Sequence, residues 1–368
     1  MTLASQIDAR RKEIKTDGYP MSIGEWMAMY ERDELDIHPE FQRFYRWTES
    51  QKSSLIESIL LGIPLPPVFV SQRDDGVWDV VDGLQRLSTI FQFAGILKNE
   101  TGAVVEPLVL EATEYLPKLG GVKWGSEKPA KGDLPTDLRL LIKRSKISAS
   151  IILKESDESA KYDLFQRLNT GGSELSPQEV RNCLLVMLNK HMFDWLKALI
   201  GHAAFVETTA LSDRPLEEAY DMELALRFMI FSQVSEPDVK SIGDVGDFIT
   251  KRMRVLASSK SLNLPKQKNL FDKTFDVISE SLGEDAFKRY SIKKKRHEGG
   301  FLLSLFEVVA LGIAYNVAKG TLVDKGKIRG LAQSIWEKPD FTQWASSGVT
   351  ASRRLPRLLP LGRKLFAK

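Results

Sequence analysis

The sequence predicts an α+β domain followed by an all-α helical bundle. Segments with strand character occur only in the first half, where they alternate with amphipathic helices. Beyond roughly Pro177 the apolar residues repeat with helical periodicity, and the 368-residue length exceeds one ordinary single-core domain. We therefore predict four segments: an N-terminal extension (1–20), the α+β domain (21–185), the helical bundle (186–350) and a basic C-terminal tail (351–368).

The composition is that of a soluble globular protein, with 43% hydrophobic and 27% charged residues. The 52 basic and 49 acidic residues leave a formal charge of only +3, which by itself does not indicate nucleic-acid binding. Cys183 is the only cysteine, which excludes an intrachain disulfide and a thiolate zinc site. The sequence has no apolar run of ~18 residues and no signal-peptide pattern, so we expect a cytoplasmic protein without a membrane partner.

Caps and turns mark the elements of the first half. A helix is predicted from about Met21 to Leu35 with Ser22 as its N-cap, and another after Thr48, where Gln51 completes a capping box. The remaining predicted elements are a hairpin around Asp75-Gly76 with strands 68–71 and 77–81, a helix over 85–97, a loop region over 99–137, a strand in "KISASIILKES" and a helix in "DESAKYDLFQRLN".

The opening of the 85–97 helix, "DGLQR", is the first candidate site. A strand that turns through Asp82-Gly83 into a helix leaves the first backbone N–H groups of that helix unpaired, and these groups attract phosphate. Arg86 would add a guanidinium contact, while Asp82 would hold a metal ion, a ribose hydroxyl or Arg86 itself. The alternative makes Asp82 an ordinary N-cap and Arg86 a surface residue. The motif lacks the lysine and spacing of a P-loop.

Two other segments combine arginine with an amide side chain. "FQRFYRW" contains Gln42 and Arg43, and "FQRLNTGG" contains Arg167, Asn169 and Gly171. Core aromatics with solvated arginines would explain the first segment, and a helix C-cap loop would explain the second. We also predict that the three loops converge on one anion.

Together, four ordered segments resemble the N-terminal domain of GmrSD-type modification-dependent restriction enzymes. They are "PEFQRFYRW", "LIESILLGIPLPP", "DGLQRLST" and "FQRLNTGGSELS", and they span roughly residues 20 to 185. The resemblance implies a ParB/sulfiredoxin-like fold and a site that binds and hydrolyses a nucleoside triphosphate. The family usually has glutamine where this chain has Leu84, and often threonine at Ser88. Binding is therefore predicted more firmly than hydrolysis.

The resemblance also implies roles for individual residues. The expected catalytic residues are Asp82, Gln85 and Arg86, with Asp82 holding Mg²⁺. The expected nucleotide-binding residues are Gln42, Arg43, Gly83, Arg167, Asn169 and Gly171.

Two basic tracts in the second half are predicted to contact DNA. They contain Lys293, Lys294, Lys295 and Arg296, and then Arg353 and Arg354. The alternative is that they are solvated helix ends and a loose tail. GmrSD-type enzymes generally add a His-Asn-His nuclease, but none of the four histidines lies in such a motif, so a separate nuclease subunit is expected.

The resulting prediction is a nucleotide-binding component of a bacterial anti-phage or modification-dependent restriction system, with hydrolysis and homo-oligomer formation left open. One alternative is a ParB-like nuclease in which Asp82 binds the catalytic metal. Another is a non-catalytic regulator that senses nucleotide.

Overall fold

The computed structural model describes residues 2–3, 15–37, 47–99, 101–125, 130–156, 176–259, 261–346 and 348–368. The chain divides into two compact units, Met1–Glu174 and Leu175–Lys368. The first contains a five-stranded mixed sheet and the second is mostly helical, so the predicted fold class is confirmed. The predicted boundary at 185/186 falls inside a helix, Pro177–Ile200.

The sheet of the first unit has the strand order β1-β5-β3-β4-β2. β4 runs antiparallel to β3 and parallel to β2, while β5 is parallel to β3 and antiparallel to β1. The strands are β1 (Thr16–Ser22), β2 (Leu35–Asp36), β3 (Val68–Gln72), β4 (Trp78–Asp82) and β5 (Lys146–Ile152). The predicted hairpin is therefore confirmed. β1 was not predicted, because its first five residues are exposed and show no apolar alternation.

The helices of the first unit are α1 (Ile23–Glu31), α2 (Glu49–Leu60), α3 (Leu84–Phe93) and α4 (Thr136–Arg144). The predicted caps are confirmed: Ser22 accepts from the Glu25 amide, and Thr48 forms a capping box with Gln51. α4 lies mostly beyond the predicted loop region and was missed, because Ile142 is its only buried residue. The core between sheet and helices includes a stacked Tyr30–Phe91 pair with ring centroids 4.5 Å apart.

A buried carboxylate on α2 fixes the irregular segment that follows α3. Glu57 is 7% exposed, and its Oε1 accepts from the Thr113 hydroxyl and from the amides of Tyr115 (3.0 Å) and Leu116 (2.9 Å). One turn earlier, the Ser53 hydroxyl accepts from the Glu111 amide at 2.8 Å. These bonds satisfy backbone donors that lie outside regular secondary structure.

Glu57→Ala is expected to lower the free energy of unfolding by about 2–4 kcal/mol, because three donors would lose their acceptor. Glu57→Gln keeps a side-chain oxygen and should cost clearly less. Urea unfolding followed by circular dichroism compares the two variants. Equal midpoints for Glu57→Ala and the wild type would contradict this role.

The second unit contains most of the helices. They are α5 (Pro177–Ile200), α6 (Ala203–Thr209), α7 (Asp213–Glu217), α8 (Tyr220–Phe231), α9 (Glu236–Lys240), α10 (Val245–Ala257), α11 (Leu264–Leu282), α12 (Leu303–Leu305), α13 (Leu311–Lys319), α14 (Lys325–Ser334), α15 (Pro339–Thr342) and α16 (Ala351–Leu365), with a π-helical turn at Phe306–Ala310. In α5 the backbone is non-helical at Asn189. Across the described residues, no helix combines the length and apolarity needed to span a membrane.

The expectation that strands stop at Pro177 is wrong. Arg289–Ser291 (β6) and Arg296–Glu298 (β7) form an antiparallel hairpin. Each strand has three residues and is rich in charge, so neither shows the apolar alternation that predicts a strand. Lys293–Lys295 lie in the turn of this hairpin rather than in a helix end.

The predicted basic tail is also corrected. Residues 351–365 form α16, and the helix buries Leu355, Leu358, Leu359 and Gly362. The spacing of these residues is that of one helix face, but Pro356 and Pro360 obscured the pattern, since proline usually breaks a helix interior. Near its end, Arg363 donates to the backbone carbonyl oxygen of Val234 at 2.7 Å. This segment is therefore part of the core of the second unit.

Candidate functional site

The turn between β4 and α3 requires glycine. Gly83 has φ +101° and is the N-cap of α3, and a Cβ built on it would lie 2.8 Å from Cγ2 of Val68. Among the described residues no side chain caps this helix. In the described part of the chain, the first backbone N–H groups of α3, at the positive end of the helix dipole, therefore have no side-chain acceptor from a capping residue. The alternative that made Asp82 the N-cap is wrong.

Arg86 connects this turn to the loop before β3. Its Nη1 donates to the carbonyl oxygen of Pro66, and its Nη2 donates to the carbonyl oxygen of Pro67 (3.1 Å) and to Oδ2 of Asp82 (3.2 Å). The side chain is only 12% exposed, so Arg86 is not an ordinary surface residue. Burial lowers the pKa of Arg86, and the charge of Asp82 opposes that effect. The contact joins the "IPLPP" segment to the "DGLQR" segment.

Asp82 keeps one carboxylate oxygen available. Its Oδ2 accepts from Arg86, whereas Oδ1 has no hydrogen-bond partner in the part of the chain that the structure describes. The side chain is 37% exposed. Of the three partners considered for Asp82, the structure shows Arg86, and the second oxygen is left for a metal ion or a hydroxyl group.

The other positions of the motif face inward. Leu84 packs against the apolar core, and Ser88 is fully buried. Gln85 is partly buried with an inaccessible Oε1, and its carbonyl oxygen accepts from the Thr89 hydroxyl at 2.7 Å. The departure at Leu84 therefore supplies an apolar contact in place of an amide.

The segment containing Gln42 and Arg43 lies outside the described residues, but the chain enters it from the edge of the sheet where Asp82 lies. β2 is parallel to β4, with Asp36 aligned to Asp79, so both strands end at that edge. Arg73 fixes this register, because its Nη2 binds both Asp79 and Oδ2 of Asp36, the latter at 2.6 Å. Hydrogen bonds to these two carboxylates raise the pKa of Arg73 although its burial acts in the opposite direction.

The third segment, with Arg167, Asn169 and Gly171, also lies outside the described residues. β5 precedes it and runs opposite to β4, since β3 is parallel to β5 and antiparallel to β4. Convergence of the three loops stays a prediction.

A metal ion at this site would need ligands in addition to the described side chains. Across the described ranges, no three His, Cys, Asp or Glu side chains are grouped to hold a metal ion. Mg²⁺ in nucleotide sites commonly binds one or two carboxylates together with phosphate oxygens and water. The single available oxygen of Asp82 fits that pattern.

The predicted DNA-binding residues have unequal environments. Lys293, Lys294, Lys295 and Arg296 are all exposed, and Lys294 Nζ and Arg296 Nε each lie 2.9 Å from Oε1 of Glu298. Arg353 is exposed. In a separate contact of the same unit, Arg354 forms two hydrogen bonds to the buried carboxylate of Glu307, of 2.6 and 2.9 Å. DNA binding by the six residues stays a prediction, and Arg354 is the least available of them.

Comparison with known protein families identifies the segment that contains the Gly83 turn. Residues 23–186 match the GmrSD restriction endonuclease, N-terminal domain. The match confirms the resemblance inferred from the four motifs, over residues 23–186 of the 368. The GmrSD match continues beyond the compact first unit into the first turns of α5. No curated protein and no solved structure matched the chain.

Sequence reasoning missed the acceptors of Arg86. Pro66 and Pro67 lie 20 and 19 residues before it, and carbonyl oxygens leave no trace in a residue pattern. The available signal was the Pro-Pro step itself, because proline lacks an N–H and fixes φ, which restricts how the loop presents its carbonyl groups.

Proposed function

We propose that this chain is a nucleoside-triphosphate-binding component of a restriction system that contacts DNA. The observation that supports the proposal most is the N-terminus of α3, which has no side-chain cap among the described residues and lies beside the available Oδ1 of Asp82. A helix N-terminus attracts phosphate, and a carboxylate oxygen next to it suits the accompanying Mg²⁺ or a ribose hydroxyl. The GmrSD match over this region agrees with such a role.

In this proposal the described residues have distinct tasks. Backbone N–H groups at the start of α3 would bind a phosphate, and Asp82 would hold Mg²⁺ through its available Oδ1, where the ion would neutralise phosphate charge. Arg86 keeps Asp82 and the Pro66–Pro67 loop in place, and its positive charge attracts the phosphates. Gln85 would position water or base through its amide nitrogen, since its Oε1 is inaccessible.

The residues outside the described ranges complete the proposed site. As the family resemblance implies, Gln42, Arg43, Arg167, Asn169 and Gly171 would contribute further nucleotide contacts. The separate nuclease stays a prediction, because no observation on the described residues tests it.

A thermal-shift panel with Mg²⁺ and ATP, GTP, CTP or UTP tests the proposal. A ligand at about 100 times its Kd stabilises the folded state by about 2.7 kcal/mol, which raises Tm by roughly 5–10 °C for a unit of this size. Asp82→Asn should reduce the shift, because it weakens the metal contact. Asp74→Asn, the same charge change on the exposed hairpin turn, is the matched control. Failure of all four triphosphates to stabilise the wild type would refute the nucleotide site.

A second candidate, a regulator that binds nucleotide without hydrolysis, is favoured by the position of Leu84 in the core. A phosphate-release assay on the triphosphate that stabilises the protein distinguishes a regulator from a triphosphatase. Binding without release supports the regulator, and release that depends on Asp82 supports a triphosphatase.

A further inference from the structure

α16 presents a row of cations on its exposed face. Arg353, Arg357 and Lys364 are exposed, and at 100° per residue they fall within about 40° of one another around the helix. Residues 351–368 include no acidic residue. The buried face of the same helix holds Leu355, Leu358 and Leu359, so packing in the core fixes the direction of the cationic row.

Two tryptophans stack against arginines, and one of these arginines, Arg357, belongs to this row. The Arg357 guanidinium lies 5.5 Å from the ring centroid of Trp344, and the Arg289 guanidinium lies 5.7 Å from that of Trp336. Both tryptophans are only partly buried. Stacking on an aromatic face restricts an arginine side chain before any ligand binds, and so reduces the entropy cost of binding phosphate.

These contacts link the β6–β7 hairpin to α16 through residues 336–344. Trp336 packs on Phe341 with ring centroids 5.1 Å apart, and the Trp344 amide donates to the Phe341 carbonyl oxygen at 3.1 Å. The two basic tracts, distant in sequence, therefore border one surface of the second unit. We call this the arginine–tryptophan surface; it comprises Arg289, Trp336, Trp344, Arg353, Arg357 and Lys364.

Acidic and basic side chains are unevenly distributed around the surface. Exposed Glu337 and Asp340 lie on the segment between the two tryptophans, while Lys293 and Lys295 at the hairpin tip have no ion-pair partner among the described residues. The surplus of cations thus comes from α16 and the hairpin. Arg354 lies outside the surface because Glu307 binds it.

We propose that the arginine–tryptophan surface binds the phosphate backbone of duplex DNA without reading its sequence. The cationic row extends about 16 Å along α16, and B-DNA presents one negative charge per about 1.7 Å of its axis, so several phosphates lie within reach. The row does not have the arrangement of base-contacting side chains that is found on helices that enter the major groove. The inference rests on the DNA contact in the proposed function, and not on the nucleotide site.

The test is fluorescence anisotropy of a labelled mixed-sequence duplex with the full chain at several salt concentrations. Arg353→Gln combined with Arg357→Gln is expected to weaken binding about tenfold or more and to lower the salt slope by about 1.8, the value for two lost phosphate contacts. The matched control combines Lys251→Gln with Lys327→Gln, which removes two exposed charges from α10 and α14. The control should bind within about twofold of the wild type.

Three results would overturn the assignment. They are absence of wild-type binding, an equal loss in the control, and tighter binding of polyglutamate than of duplex DNA at equal charge, which would indicate an acidic protein partner instead. Circular dichroism verifies that each variant is folded. The triphosphate thermal shift, measured on the same variants, should be unchanged, so failure here is distinguishable from failure of the nucleotide site.

Discussion

Gly362→Ala is expected to lower the free energy of unfolding of the helical unit by about 2–4 kcal/mol, as overpacking at a fixed backbone contact does. A Cβ at Gly362 would meet the carbonyl oxygen of Val308, and one at Gly312 would lie 2.6 Å from the Gly362 carbonyl carbon. The neighbouring atoms are backbone, so no side-chain rotation relieves the clash. α16 therefore has to shift away from the π-helical turn.

Gly330→Ala in α14 is the control for this experiment. A Cβ there meets no atom within 4 Å, and alanine is favoured over glycine in a helix by about 0.5–1 kcal/mol. Urea unfolding should thus show destabilisation for Gly362→Ala and no loss for Gly330→Ala. Similar midpoints for the two variants would show that α16 does not pack as described.

Arg354→Ala is expected to cost about 3–5 kcal/mol, because it leaves a buried carboxylate without its partner. Glu307 is 1% exposed and receives two hydrogen bonds from Arg354, at 2.6 and 2.9 Å. Tyr220 lies near the same charges, and burial is the main cause that raises its pKa to about 12, so it stays neutral at neutral pH and provides no cation for Glu307 in the variant.

The adjacent Arg353→Ala variant is the control, since Arg353 is exposed and its loss should change stability by no more than about 0.5 kcal/mol. Chemical denaturation of both variants measures the contrast. Equal destabilisation of the two would contradict the buried pair. A loss of stability in Arg354→Ala also means that reduced DNA binding by that variant cannot be assigned to a direct contact.

Much of the first unit could be predicted from the sequence because its signals are local. A capping box at Thr48, the Asp75-Gly76 turn and the glycine at position 83 each act within four residues, and the structure shows all three. Edge strand β1 and the hairpin β6–β7 could not be predicted in the same way, since their residues are mostly exposed or charged. Their pairing depends on partners elsewhere in the chain.

The sequence predicted which residues form the candidate site, but not which atoms they contact. The turn at Asp82 and Gly83 was located correctly, but the acceptors of Arg86 belong to a loop about twenty residues away. Arg353 and Arg354 show the same limit, because a rotation of 100° between neighbours on a helix places one in solvent and the other against Glu307. Local patterns do not determine which of two adjacent arginines is buried.

Calorimetric titration of the wild-type chain with a non-hydrolysable nucleoside triphosphate and Mg²⁺ tests the central claim most directly. The account predicts saturable binding of one triphosphate per chain, weakened by Asp82→Asn and unaffected by the exposed-turn control Asp74→Asn. Absence of binding for every triphosphate, or equal binding by wild type and Asp82→Asn, would contradict the assignment of the Gly83 turn as a nucleotide site.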